Sequence, residues 1–146
     1  LFDENIKIAE FISGPHLQPS LVESAVKLNF NALLFHGTGL GHLPIANPEE
    51  DSIENTKLKA ILEDYCSNGG IAVVVAQTIQ GPVNMDVYSK GRQQQKIGII
   101  GHKSLCPPGS SLVKLHYLLS QGKGREIVLS GWEENLVGEN PSFTFD

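Results

Sequence analysis

The 146-residue chain has few cysteines, few basic residues and no long apolar segment, and each shortage excludes a class of protein. Its two cysteines, Cys66 and Cys106, form no CxxC pair and predict reduced intracellular thiols rather than a disulfide scaffold. Eleven Lys and Arg against sixteen Asp and Glu leave a net charge of −5, which argues against a nucleic-acid partner. The longest apolar run covers only residues 71–76, whereas a membrane-spanning helix needs about 18 residues or more. We therefore expect no membrane segment, and no signal peptide is visible at the N-terminus.

The residues that are present describe a globular protein with a hydrophobic core. Hydrophobic side chains make up 40% of the chain and charged ones 18%, a balance that predicts one packed domain over residues 1–146. The chain begins Leu1-Phe2-Asp3 without an initiator methionine, and we interpret it as a segment of a longer protein.

Strand and helix patterns alternate along the chain. Residues 5–12 alternate apolar and polar side chains, which predicts a half-buried strand, and the apolar residues 32–35 and 71–76 predict strands covered on both faces. A short fourth strand is predicted over residues 97–101. The first predicted helix begins at a capping box of Ser20 and Glu23. Four further helices are predicted over residues 58–65, 86–96, 111–121 and 125–137. This order predicts an α/β fold, a three-layer αβα sandwich with a four-stranded parallel sheet.

The most informative candidate for a ligand site is the glycine-rich segment 37–44, which follows the second predicted strand. Ligands approach the carboxyl ends of parallel strands, and glycines at 37, 39 and 41 leave backbone amides accessible to an anion or an amide. The same spacing alone more often makes only a tight turn. Pro44 stands where a dinucleotide fingerprint has its third glycine, and no Lys-Ser/Thr pair follows as in a P-loop.

The residues by themselves supply no complete catalytic set. His42 suggests a general base, but no acidic residue to orient it and no nucleophile lie beside it in the sequence, so a hydrogen-bonding or packing role is favoured. His36, at a strand end, and His116, on a helix stripe, are most simply structural. The histidine spacings do not fit a zinc site, and Cys106 fits an ordinary thiol better than a reactive one.

Four sequence blocks resemble a known family. Residues 37–44, Gly-Thr-Gly-Leu-Gly-His-Leu-Pro, resemble a loop of the asparaginase-like D subunit of archaeal glutamyl-tRNA(Gln) amidotransferase. Residues 77–92 are similar to the next block of that protein and of type I, cytoplasmic bacterial L-asparaginases. Residues 112–121 resemble the type I helix, and residues 135–139 fit the closing Asn-Leu-x-Gly-Glu. Because the blocks occur in the family's order, the chain is identified as a member of the L-asparaginase family, with the resemblance covering residues 5 to 139.

The resemblance implies the smaller, flavodoxin-like C-terminal domain of an amidohydrolase that converts L-asparagine to L-aspartate and ammonia. The family's larger N-terminal domain carries the threonine nucleophile, and its motifs are absent from this sequence. We therefore expect no catalytic residue, cofactor or metal in this chain, and no activity of the chain alone. It would supply contacts of a cytoplasmic homodimer or homotetramer and an active-site lip or effector pocket for L-asparagine. The substrate- or effector-binding residues that the resemblance implies are His36, Thr38, Gly39, Gly41, His42, Gln77 and Thr78.

Two alternatives remain open at this stage. The histidine at position 42 follows the amidotransferase protein, where type I enzymes usually have asparagine, whereas the helix over residues 112–121 favours type I. A non-catalytic binding or dimerisation module is the other alternative, because the acidic residues that the family typically has before this helix are replaced by Leu105 and Gly109.

Overall fold

Three parallel strands form the centre of the computed structural model, which describes residues 2–14, 17–37, 53–76, 94–101, 108–122 and 124–132. The strands are β1 (Ile8–Ile12), β2 (Ala32–Gly37) and β3 (Ala72–Ala76), and they lie side by side in the order β1-β2-β3. Ile8 pairs with Ala32 in the first ladder, and Leu33 pairs with Ala72 in the second. The helices are α1 (Pro19–Lys27), α2 (Ile53–Ser67), α3 (Pro108–Ser120) and α4 (Gly124–Gly131).

The predicted α/β sandwich is confirmed, but the prediction of a fourth strand is wrong for the described residues. Only one parallel bridge, between Val73 and Ile100, extends the sheet beyond β3. Gly98 and Gly101 flank this bridge with φ angles of 104° and 135°, outside the range of a regular strand. The segment therefore contributes one bridge where a full strand was expected.

The predicted capping box of Ser20 and Glu23 is also wrong. Helix α1 starts one residue earlier, at Pro19, with Gln18 at the N-cap and no side-chain capping hydrogen bond. Proline suits the first helical position because its φ angle is already helical and its missing N–H would have no partner there. Glu23 instead forms an exposed ion pair with Lys27, with 3.3 Å between Oε1 and Nζ.

The remaining helices follow the sequence patterns with shifted ends. Helix α2 contains the predicted residues 58–65, and α3 starts three residues before the predicted 111. Helix α4 ends at Gly131, short of the predicted 137, and residues 133–137 lie outside the described ranges. Residues 94–97 are helical, whereas residues 86–93 of that predicted helix are not described. None of the helices within the described ranges is both long enough and apolar enough to cross a membrane.

Two hydrophobic layers cover the two faces of the sheet. On one face Leu33 and Phe35 of β2 pack with buried residues of α1 and α2. On the other face Ala32 and Leu34 pack with buried residues of α3 and α4, including Trp132 just beyond α4. This alternation along β2 confirms that the uniformly apolar run forms a strand covered on both sides.

Candidate functional site

The candidate site lies towards the carboxyl end of β2. Of the residues implied by the resemblance, His36 alone is in the described part of the chain, as the last residue but one of β2. The other six lie outside the described ranges, and their role remains a prediction: Thr38, Gly39, Gly41, His42, Gln77 and Thr78.

His36 is joined to Glu10 of the neighbouring strand. The imidazole Nε2 and the carboxylate Oε2 are 2.9 Å apart, although the residues are 26 positions apart in the sequence. In the parallel ladder Glu10 pairs with Leu34, and Ile12 pairs with His36, so Glu10 and His36 are diagonal neighbours. Side chains alternate between the faces of a sheet, and both residues therefore lie on the face that also carries Leu34.

The backbone next to the His36–Glu10 pair is hydrogen-bonded, whereas a neighbouring side chain is exposed to solvent. The Ser13 amide donates to the His36 carbonyl at 2.9 Å, which continues the strand pairing beyond the end of β1. Ser13 is buried, whereas Ile12 beside it is 72% exposed. The backbone that carries the site is therefore held by the sheet while its side-chain surface is accessible.

The chemistry of this pair follows from the carboxylate. An ionised carboxylate can only accept hydrogen bonds, so the imidazole must donate its Nε2–H to Glu10. Such a charge-assisted bond is stronger than one between neutral groups. The carboxylate keeps further acceptor sites, which suit a ligand group that donates hydrogen bonds. Within the described ranges no group of three His, Cys, Asp or Glu residues could hold a metal ion.

Glu10 was missed by the sequence analysis, although the sequence contains a signal for it. Ile6, Ile8 and Ile12 share one side of the predicted strand, and Glu10 is the charged residue that interrupts this apolar series. A charge on an otherwise apolar strand face needs a partner. Only the strand register shows that the partner is His36.

A second polar cluster surrounds Arg125 near the start of α4. Its guanidinium donates to the carbonyls of Gly70 and Gly98, the former at 2.9 Å. Burial raises the pKa of the nearby Cys66 thiol, while the charge and hydrogen bond of Arg125 act in the opposite direction. The thiol therefore stays protonated at neutral pH, which makes it a poor nucleophile. A cavity of about 190 Å³ lies beside this cluster and is also lined by Trp132.

His116 has the structural role expected from its place on a helix stripe. Its Nε2 donates to the carbonyl of Asp3 at 2.7 Å, and its ring packs edge-on against Phe2 with 5.2 Å between centroids. The hydrogen bond and the ring contact together hold the segment before β1 against α3.

The fold is that of an α/β domain with a parallel sheet, a class of fold in which ligands generally approach the carboxyl ends of the strands. The family described as the glutaminase/asparaginase C-terminal domain matches residues 7–129, and the chain belongs to this family. The membership expected from the four sequence blocks is thereby confirmed.

Curated proteins similar in sequence to this chain include D subunits of an amidotransferase. The chain is 32% identical over 139 residues to the D subunit of glutamyl-tRNA(Gln) amidotransferase from Pyrococcus abyssi, covering 94% of this chain and 29% of that protein. It is 30% identical over 138 residues to the corresponding protein of Methanopyrus kandleri, covering 94% of this chain and 27% of that protein. The chain therefore spans less than a third of the length of these curated relatives.

Solved structures similar to this chain include two L-asparaginases. L-asparaginase I from Vibrio cholerae superposes with a TM-score of 0.70 and 28% identity, over 92% of this chain and 37% of that one. The thermostable L-asparaginase from Thermococcus kodakarensis gives a TM-score of 0.76 at 19% identity, over 94% of this chain and 38% of that one. The second similarity is one of fold alone.

Proposed function

We propose that the chain is the C-terminal domain of a cytoplasmic L-asparaginase, a longer protein that hydrolyses L-asparagine to L-aspartate and ammonia. The observation that carries this proposal is the family match over residues 7–129, together with the 28% identity to L-asparaginase I at a TM-score of 0.70. That the chain covers only 37% of that structure supports a larger catalytic domain elsewhere in the protein.

In this proposal the domain binds and orients, and a preceding N-terminal domain supplies the nucleophile. The ligand-facing surface consists of His36 and, outside the described ranges, Thr38, Gly39, Gly41, His42, Gln77 and Thr78. This surface serves as an active-site lip or an effector pocket for L-asparagine, and the domain also contributes contacts of a homodimer or homotetramer. The His36–Glu10 pair supports this role because it places acceptor atoms on the accessible side of a rigid sheet.

A second candidate is the D subunit of glutamyl-tRNA(Gln) amidotransferase. The observation that favours it is the identity of 32% to the Pyrococcus abyssi protein, across nearly the whole of this chain. Both candidates release ammonia from a side-chain amide, and they differ in the reaction that this ammonia serves.

The experiment measures ammonia release by the natural full-length protein and by the 146-residue chain alone. We expect the full-length protein to act on free L-asparagine and the chain alone to be inactive, because it lacks the nucleophile motifs. Turnover by the chain alone would contradict the domain assignment. Ammonia release from glutamine that requires a companion protein and glutamyl-tRNA would establish the second candidate. A folded full-length protein inactive in both assays would indicate a non-catalytic binding module.

A further inference from the structure

We propose that the cavity beside Arg125 binds a small carboxylate with a planar apolar body, held by the Arg125 guanidinium and packed against Trp132. The cavity has a volume of about 190 Å³ and lies where residues 98–101 extend the sheet beyond β3. Among the described residues its lining includes neither His36 nor Glu10. The proposal therefore goes beyond the proposed function and concerns a second binding site.

One face of α4 supplies both the charge and much of the apolar surface of the cavity. Arg125, Leu129 and Trp132 are spaced at i, i+4 and i+7, which places them on one side of a helix. The backbone N–H of Trp132 donates to the Val128 carbonyl at 2.9 Å, so the helical bonding continues to Trp132. All three residues line the cavity, and a cation, an aliphatic side chain and an aromatic ring therefore meet there.

The cavity has buried apolar walls and an accessible opening. The lining residues Ile99, Ile100 and Trp132 are at most 5% exposed, whereas Leu129 is 51% exposed. An apolar cavity of about 150 Å³ is large enough to hold a benzene ring. The volume of about 190 Å³ is therefore suited to one aromatic ring with a carboxylate directed at Arg125.

The Arg125 guanidinium has both charge and donors left for a ligand. No ion pair within the described ranges involves Arg125. Its guanidinium donates to the carbonyls of Gly70 and Gly98, and even with a third donor directed at Cys66, two of its five N–H groups remain. A partly buried charge is stabilised by an opposite charge, and a carboxylate matches the planar guanidinium.

A single negative charge suits this cavity better than a phosphate group does. Arg125 is the one charged side chain among the described residues that line the cavity. A phosphate group carries about −1.5 to −2 charges at neutral pH, more than one guanidinium balances. The net charge of −5 on the chain disfavours this excess, so the chemistry favours a monocarboxylate.

Calorimetric titration of the 146-residue chain with benzoate, benzamide and acetate tests the proposal. Benzamide keeps the ring without the charge, and acetate keeps the charge without the ring. We expect benzoate to bind with a Kd on the order of 1 mM and each of the other two to bind about tenfold or more weakly. Trp132 is the only tryptophan of the chain and lines the cavity, so its fluorescence should change along the same benzoate saturation curve.

Variants at the opening of the cavity test the location while leaving Arg125 in place. Leu129→Glu puts a carboxylate four residues from Arg125, where it competes with the ligand for the guanidinium. It should weaken benzoate binding about fivefold or more relative to Leu129→Gln, which has nearly the same shape without the charge. Benzamide should bind these two variants with affinities within about twofold of each other.

A control on another helix separates this local effect from the added charge itself. Val113→Glu also replaces an exposed aliphatic side chain by a carboxylate, on α3, and Val113 is not among the lining residues. It should leave the benzoate affinity unchanged. A Leu129→Glu effect no larger than that of Val113→Glu would contradict the proposed location.

Four further results would overturn the proposal. These are no saturable binding of benzoate to the wild-type chain, equal affinities for benzoate and benzamide, equal affinities for benzoate and acetate, and benzoate binding that leaves the Trp132 fluorescence unchanged. Each of these results concerns the cavity alone. The ammonia assay on the full-length protein judges the proposed function independently.

Discussion

Arg125 and Gly70 are 55 positions apart in the sequence, yet the Arg125 guanidinium donates to the Gly70 carbonyl at 2.9 Å. Its other terminal nitrogen donates to the carbonyl of Gly98. Gly70 precedes β3, and Gly98 follows the helical residues 94–97. The Arg125 side chain, near the start of α4, therefore links the segment before β3 to the segment that follows the helical residues 94–97.

This arrangement predicts that Arg125→Met lowers the free energy of unfolding by about 1.5–3 kcal/mol for each charge-assisted hydrogen bond lost. Arg125→Lys keeps the charge but not the planar fork, so it should recover less than half of the loss. Urea unfolding of the chain measures both values. Lys27→Met, which removes an exposed ion pair, is the control and should change stability by less than about 1 kcal/mol. An Arg125→Met protein as stable as this control would show that the two carbonyls do not depend on Arg125.

Lys114 gives a second prediction because its ammonium group is buried. The residue is 5% exposed, its Nζ donates to the carbonyl of Trp132, and it lies 5.5 Å from the centroid of the Trp132 ring. Lys114→Met keeps the apolar stem but leaves that carbonyl without its donor, at an expected cost of about 1–3 kcal/mol. The measurement is thermal or urea unfolding, with the exposed Lys57→Met as the control. A loss no larger than that of Lys57→Met would contradict the prediction.

Gly101 gives a third prediction, with Gly122 as a matched control. Both glycines have positive φ angles, 135° and 85°, which are strained for alanine. A Cβ at Gly101 would overlap the Val74 carbonyl oxygen and lie 3.2 Å from Val74 Cγ1, whereas a Cβ at Gly122 would meet nothing within 4 Å.

We therefore expect Gly122→Ala to cost about 1–2 kcal/mol from backbone strain alone. Gly101→Ala should cost at least about 1–3 kcal/mol more, because the overlap forces the segment away from β3. Unfolding free energies of both variants check the difference. Equal losses would show that the close approach to Val74 does not limit this position.

The pH dependence of stability provides a fourth prediction. Burial raises the pKa of the Cys66 thiol above its ordinary value of 9.0 and that of the Tyr65 hydroxyl above 10.0. In the unfolded chain both groups lose their protons at lower pH than in the folded protein, so alkaline conditions favour unfolding. Stability should be unaffected by these groups below about pH 9 and should fall as the pH rises through their raised values.

Unfolding measured between about pH 7 and pH 11 tests this dependence. The double variant Cys66→Ala with Tyr65→Phe removes both ionisable groups and should show a shallower fall at alkaline pH than the wild type. The stability of the double variant at neutral pH provides the reference. Loss of buried contacts lowers its free energy of unfolding equally at every pH, so it does not change the slope of that free energy against pH. An unchanged alkaline slope would show that other groups cause the fall.

Sequence patterns determined the class of fold for a simple physical reason. The alternation over residues 5–12 and the apolar runs at 32–35 and 71–76 reflect how strands bury one or two faces, and each became a strand. The stripe of Leu58, Ile61, Leu62 and Tyr65 likewise became part of α2. Family membership followed from four ordered blocks, because such blocks are far more specific than any one motif.

Other features depended on contacts that no local pattern records. The fourth strand was overpredicted because an apolar, glycine-containing segment does not reveal that Gly98 and Gly101 adopt positive φ angles. The capping box failed because Pro19 had already started α1. Six of the seven expected ligand residues lie outside the described ranges, so for them the sequence remains the basis of the prediction.

The sequence by itself thus determined the parallel α/β sandwich and its family, because hydrophobic periodicity and ordered motifs are local properties. Only the tertiary structure decided that Glu10 partners His36 and that Arg125 reaches Gly70. These pairs are 26 and 55 positions apart, and they meet because strand register and helix packing bring distant residues together. No local sequence pattern identifies such long-range polar contacts, because they depend on the tertiary fold.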